Sequence, residues 1–277
     1  MGNKEYYNIY PRIGGDNMSR KMIDRTGEEN YNNEGTLMRI IKYRRVNDIF
    51  VEFQDEYKAN VHTTYSSFKK GNVKNPFHKS VYSVGYIGIG KYKTKLNGKQ
   101  TKVYEVWQKM LQRCYDPYYI NKYPTYIDCY VCKDWHNFQN FAQWWEDNVY
   151  NCNNEKMHLD KDILCKGNKI YSPENCMLVP ERINTLFIKC DARRGKYPIG
   201  VSWSKVANKF LAQCSVFSKE NNKKMIYLGY YNTSEEAFLA YKIFKEKYIK
   251  KVADEYKDLI PFKLYESMYS YEVDIND

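Results

Sequence analysis

The rhythm of hydrophobic and polar positions changes several times along the chain. Residues 1–33 (MGNKEYYNIYPRIGGDNMSRKMIDRTGEENYNN) are polar, rich in Asn and without a period, and predict a flexible arm. Over 34–80 the runs TLMRIIKYRRV, DIFVEFQDEY and KANVHTTY are β-branched and aromatic, with short polar breaks. Asn47-Asp48 and Gln54-Asp55 carry hairpin-turn chemistry, and YSSFKKGNVKNP ends the unit with a turn and a proline stop. A small β-barrel fits. Residues 81–102 are rich in Gly and Lys and read as a linker or loose hairpin. The period then becomes helical: Val103, Val106, Trp107, Met110, Leu111 and Cys114 share one face, and Phe138, Phe141, Trp145 and Val149 share another. YDPYYINKYPTYIDCYVCKDW between them predicts a loop.

From Leu159 the alternation LDKDIL predicts a strand, with Asp160 and Asp162 on one side and Leu159, Lys161 and Ile163 on the other. CKGNKIYSP predicts a turn and return strand. VPERINTLF predicts a helix whose first turn tolerates Pro180. After the basic linker DARRGKYP come three strands (GVSWSKVANKF, LAQCSVFSKE, KKMIYLGYY, with ENNKK as a turn) and a helix. Thr233 and Glu236 have capping-box spacing at its start, and Ala237, Ala240, Tyr241, Phe244 and Tyr248 form its stripe.

Charge separates these regions. The net charge is +11, and residues 192–251 hold 13 Lys or Arg against 4 Asp or Glu. Residues 252–277 hold 2 against 7 and read as an acidic tail. A basic module beside an acidic tail points to a polyanionic partner, nucleic acid first, with the tail moderating it. The 29 tyrosines supply rings that stack on bases and hydroxyls that reach phosphates. No apolar run long enough to cross a membrane exists, and the N-terminus has no signal-peptide core. Eight cysteines in such a chain argue against a disulfide framework.

Phosphodiester hydrolysis needs a Lewis acid on the phosphate and a group that activates water. A ββα unit provides both with few residues: a strand carboxylate, a donor from the following helix, and a base beside the carboxylate. The plain reading of the residues makes Asp160 and Asn175 a turn-capping pair in a β-hairpin, with a metal site as the alternative. WQKMLQRCYDP, VCKDWHNFQNFAQW, LDKDI, YSPENC and the IN pair together resemble the phage-type HNH endonuclease family over 103–190. The resemblance implies that Asp160 and Asn184 hold one divalent ion, Mg²⁺ or Mn²⁺, and that Asn175 shapes the connecting loop. The position after Asp160 holds the water-activating His in that family, and here it is Lys161. An ammonium of ordinary pKa is a poor base at pH 7; it stabilises charge instead, or His158, two residues before Asp160 on the same strand face, serves as base. An ordinary strand histidine is the plain alternative for His158.

Cys129 and Cys132 have CxxC spacing, and Cys114 and Cys176 complete a possible Zn²⁺ set; buried thiols against Trp107 and Trp135 are the alternative. IGVSWSKVANKFLAQC and YLGYYNTSEEAFLAY resemble the AP2 DNA-binding domain over 197–251. That resemblance implies a three-stranded sheet laid in the major groove, at positions matching Ser202, Ser204, Phe210, Gln213, Ser215 and Tyr227. Trp203, Lys205, Lys209, Gln213, Lys223, Lys224 and Tyr227 are the expected DNA contacts, with a solvated lysine face as the alternative. The 34–80 unit resembles small SH3-like barrels and has no assigned protein partner. The expected fold class is therefore α+β: an N-terminal barrel, a ββα-metal middle domain, and a three-stranded antiparallel sheet on one helix. The expected function is metal-dependent nicking of double-stranded DNA in the bacterial host cytoplasm, with no membrane partner. A non-catalytic DNA-binding regulator on the same scaffold is the alternative.

Overall fold

A computed structural model describes residues 23–188, 195–217 and 223–275. The chain is mixed α and β with several small sheets, and divides between His78 and Lys79 into two compact units.

In the first unit Glu29–Tyr31 (β1), Leu37–Arg45 (β2), Asp48–Phe53 (β3) and Asn60–Thr63 (β4) form an antiparallel meander in chain order. Alternation buries Met38, Ile40, Ile49, Val51 and Phe53 completely. The short helix Tyr65–Lys69 (α1) adds Phe68 to this core, and Thr64 caps it by accepting from the Ser67 N–H. The sheet is not a closed barrel. Closure needs the outermost strands to bond to each other, and β1 and β4 each pair on one side only. The predicted arm is also shortened: β1 pairs Glu29–Tyr31 with Leu37–Arg39, while residues 1–22 lie outside the described part.

In the second unit the predicted linker is largely packed. A Cβ on Gly85 would meet Leu111 at 2.4 Å. Gly88 has φ +71° and would meet the Asn137 side chain at 2.2 Å. Only Lys95–Leu96 (β5) and Lys99–Gln100 (β6) make the expected loose hairpin. Lys102–Tyr115 (α2) buries Trp107, Met110, Leu111 and Cys114 as its period requires. The loop that follows contains the helix Pro117–Lys122 (α3), capped by Asp116, and the strand Tyr130–Val131 (β7). Phe138–Asn148 (α4), capped by Asn137, buries Phe138, Phe141 and Ala142. Val149 lies past the helix end and is exposed.

Met157–Asp160 (β8) is shorter than predicted. The Asp160 Oδ1 accepts the N–H groups of Asp162 and Ile163, which turns the chain out of the strand. The return strand is therefore not CKGNKIYSP: Ile170–Tyr171 (β9) pairs in parallel with β7, and Met177–Pro180 (β10) pairs antiparallel with β8. Glu181–Leu186 (α5) follows at once, with Pro180 at its cap.

Val201–Ser204 (β11), Lys209–Phe217 (β12) and Lys223–Tyr231 (β13) form the expected three-stranded antiparallel sheet, and Ser234–Tyr256 (α6) packs on it behind a complete Thr233–Glu236 capping box. Of the predicted turn ENNKK, residues 220–222 lie outside the described residues and Lys223 and Lys224 belong to β13; of the linker DARRGKYP, residues 191–194 lie outside them. The acidic tail folds. Ile260, Leu264 and Met268 recur every four residues, so Phe262–Tyr269 (α7) buries Leu264 and Met268 against the core that holds Trp107 and Trp135. Val273 packs beneath the three-stranded sheet. Among the described residues no helix is long and apolar enough to cross a membrane.

Candidate functional site

The β8–β10–α5 unit opens onto a cleft of about 660 Å³, walled also by α2 and the loop 161–169. Period two buries Met157 and Leu159 and leaves His158 and Asp160 half-buried. Because α5 starts immediately after β10, Asn184 sits one turn into it and faces the same cleft. Asp160, His158 and Asn184 thus all line this cleft.

Asp160 binds its two backbone donors, at 2.8 and 2.7 Å, through Oδ1 alone. Among the described residues no donor bonds Oδ2. Burial raises the carboxyl above its ordinary value, against the two N–H groups that pull it down. A carboxylate with one free oxygen, in a walled cleft that a half-buried amide also lines, suits a hard divalent cation that keeps most of its water ligands. The residues present fit such an ion.

Lys161 is only 6% exposed. Its Nζ donates to both Asp162 carboxylate oxygens (2.8 Å each) and to the Asn168 carbonyl (2.5 Å). Its three N–H bonds thus meet three acceptors, which tie it across the loop 161–169. The His158 Nε2 is 3.5 Å from the Glu181 Oε1 and makes no hydrogen bond. Burial, aided by Lys156, lowers its pKa below the ordinary 6.5, so the ring is neutral near pH 7.

Asn175 does not line the cleft; its N–H donates to the Ser172 carbonyl (3.2 Å) in the turn before β10. The residue that shapes the loop is Asn168, which sequence reasoning missed. Its Nδ2 donates to the carbonyls of Lys161 (2.9 Å) and Ile170 (2.7 Å), and its Oδ1 accepts from the Ile170 N–H. The Gly167-Asn168 turn signal marks it in the sequence.

Lys102, Lys109, Arg113, Lys156, Lys166 and Lys169 also line the cleft, against Glu105, Asp160 and Asp162. They too were missed, although Lys102, Lys109 and Arg113 recur at i, i+7 and i+11 on α2, along its polar side.

The four-cysteine zinc set does not assemble. Cys114 lies beside Cys129, and Cys176 beside Cys132. Among the described residues no three His, Cys, Asp or Glu side chains gather closely enough to hold a metal ion. Burial pushes the Cys114 and Cys176 thiols up to about 12 and raises Cys129 and Cys132. All four pack in or against the core with Trp107 and Trp135. Cys190 lies outside the described residues.

On the three-stranded sheet, Ala212 and Cys214 face α6 and are buried. The opposite face carries Gln213 across from Tyr227, Ser215 across from Met225, and Leu211 across from Tyr230. Ser202, Ser204, Lys209 and Lys223 share that outward parity, and Lys205 is exposed in the adjoining turn. Tyr227 and Tyr230 are 70% and 54% exposed. Trp203, Phe210 and Lys224 have the parity of Ala212 rather than of Gln213, and of these Trp203 and Lys224 remain exposed. The Trp203 ring packs edge-on against Phe210 at 4.8 Å, and Lys224 lies in a second cleft with Phe244, Lys247 and Lys251. Tyr230 was missed because a bulge at Leu228, where Ala212 pairs with Gly229 but Gln213 with Tyr227, resets the alternation.

Comparison of the chain with protein-family models, with curated proteins and with solved structures finds no match.

Proposed function

We propose that this chain is an HNH-type endonuclease that nicks duplex DNA, with the C-terminal sheet as the surface that holds the duplex. The observation that supports it best is that a strand carboxylate, Asp160, and a helix amide, Asn184, face one cleft rimmed by Lys and Arg. Asp160 and Asn184 would hold Mg²⁺ or Mn²⁺, which when bound supplies Lewis-acid stabilisation of the phosphate and the leaving oxygen. The rim cations draw the phosphodiester in and fix the backbone by charge. His158 shares the strand face of Asp160 and is the proton acceptor for the attacking water; Lys161, tied to Asp162 and Asn168, is the loop's anchor. One metal site serves one strand, so the product is a nick.

A second reading, a DNA-binding regulator on this scaffold, draws on Lys161 standing where the family's base stands. Supercoiled plasmid incubated with the protein and Mg²⁺ or Mn²⁺ separates the two. Nicking that Asp160→Ala abolishes, and that His158→Gln slows about 10²–10⁴-fold, supports the nuclease. Tight mobility shifts without nicking support the regulator.

A further inference from the structure

One helix belongs to two cores. The first half of α6 places Ala237, Phe238 and Tyr241 at the sheet, while Ile249, Val252, Ala253 and Tyr256 enter the core that carries the Asp160 cleft. At 1.5 Å per residue its 23 residues span about 34 Å. The sheet and the cleft therefore share a rod.

Arg182 sits where that rod meets the cleft. It lies two positions before Asn184 on α5, and such positions point to nearly opposite sides of a helix. Asn184 faces the cleft; Arg182 turns away from it and is 5% exposed. Its guanidinium pairs with Glu255 on the last turn of α6 (2.9 Å), packs over the Tyr256 ring (5.5 Å), and approaches the Phe217 carbonyl at the end of β12 (3.5 Å). Its backbone N–H donates to Glu155 (3.4 Å), which also accepts from the Tyr256 hydroxyl and lies just ahead of β8. One side chain thus touches the sheet strand and the shared helix, and its own backbone is tied to the segment that delivers Asp160. A buried arginine pair is a poor source of stability, and its best-attested use is to fix register.

Resting on the reading proposed above, we infer that Arg182 is a positioning residue that locks the Asn184 helix to the C-terminal sheet. The phosphodiester entering the cleft then lies at a fixed distance from the duplex segment held by the sheet.

The test uses the full chain on an end-labelled linear duplex with Mn²⁺. Arg182→Gln is expected to leave duplex affinity, read by fluorescence anisotropy, within about twofold. It should lower kcat for nicking about a hundredfold with KM unchanged, the scale of a small misplacement of the reacting groups, and spread the nicks over more positions. Arg182→Lys should restore part of the rate and narrow the pattern. A uniform loss of rate with an unchanged nick pattern would overturn the inference and leave Arg182 a stability residue only. Glu255→Gln, whose side chain is more accessible, reads the same joint if Arg182→Gln does not fold. If the native chain does not nick at all, the nuclease reading fails by itself, and hydrogen exchange then tests the joint. Duplex binding should protect the amides of 181–186 in the native chain and not in Arg182→Gln; equal protection in both sinks the inference.

Discussion

In the N-terminal sheet the face carrying Met38, Ile40, Ile49, Val51 and Phe53 is sealed in its own core with Phe68 and Val73. The charges of that unit largely balance, nine Lys or Arg against eight Asp or Glu over residues 23–78. Several pair locally: Arg39 with Glu29 at 2.6 Å, and Arg25 and Lys69 with Glu28 at 3.2 and 3.3 Å. In the C-terminal sheet one face is likewise sealed, by α6, but the other presents Tyr227, Tyr230, Met225, Lys209 and Lys223 to solvent. Its neighbourhood carries a strong positive excess. Both sheets alternate in twos, interrupted by bulges in β2 and at Leu228. What distinguishes the C-terminal sheet is the unbalanced charge around it; exposed rings occur on both, Tyr31 on β1 being 62% exposed.

Two substitutions should break that parallel apart. Phe53→Ala empties a fully buried site and should cost about 3–5 kcal/mol, enough to remove the N-terminal unit's cooperative melt. Tyr227→Ala should change stability by less than about 0.5 kcal/mol yet weaken duplex binding about tenfold, ~1.4 kcal/mol. Calorimetry and anisotropy on the same preparations check both. A Tyr227→Ala protein that melts early would mean the outward face is structural, and the contrast would be lost.

Salt sharpens the contrast further. If the C-terminal surface neutralises five to eight phosphates, log affinity should fall against log salt with a slope of roughly −4.5 to −7. Lys209→Ala or Lys223→Ala should each flatten it by about 0.9, while Arg44→Ala in the N-terminal sheet should leave it unchanged. A slope altered by Arg44→Ala would show that the first sheet holds DNA as well.

The parts of this architecture that were readable in the sequence are those set by local periodicity. The α2 face from Val103 to Cys114, the Thr233–Glu236 cap and the three C-terminal strands needed nothing from elsewhere in the chain. Asp160 and Asn184 are paired by the HNH resemblance and not by any local period, and both line one cleft. What escaped depended on partners distant in sequence. The β7–β9 pairing joins residues about forty apart, and no period announces it. Lys161 looked like a site residue because its lock on Asp162 and the Asn168 carbonyl exists only once the loop has closed. The tail read only as acidic because its seven acids mask the four-residue spacing of Ile260, Leu264 and Met268. Arg182 carried no signal at all, since its meaning comes from Glu255, seventy-three positions later.

The smallest effect expected of the contrast is the acid sensitivity that Glu28 gives the N-terminal unit. Burial alone would raise the Glu28 carboxyl, but hydrogen bonds from Tyr65, Arg25 and Lys69 outweigh it and hold the group below its ordinary 4.5. A carboxyl depressed in the folded state contributes stability above its unfolded pKa and loses it as pH falls through the folded one. The unit's melting temperature should therefore drop progressively below about pH 4.5, in the window between the two values. Glu28→Gln removes the titrating group, so the variant should start less stable at neutral pH and lose less on acidification, with the two curves converging at the acid end. Melts of the full chain between about pH 3 and 6, followed by hydrogen exchange in 29–63, measure this. Parallel curves for the two proteins would mean that the pull of the three donors on Glu28 is not what holds this sheet's charges in balance.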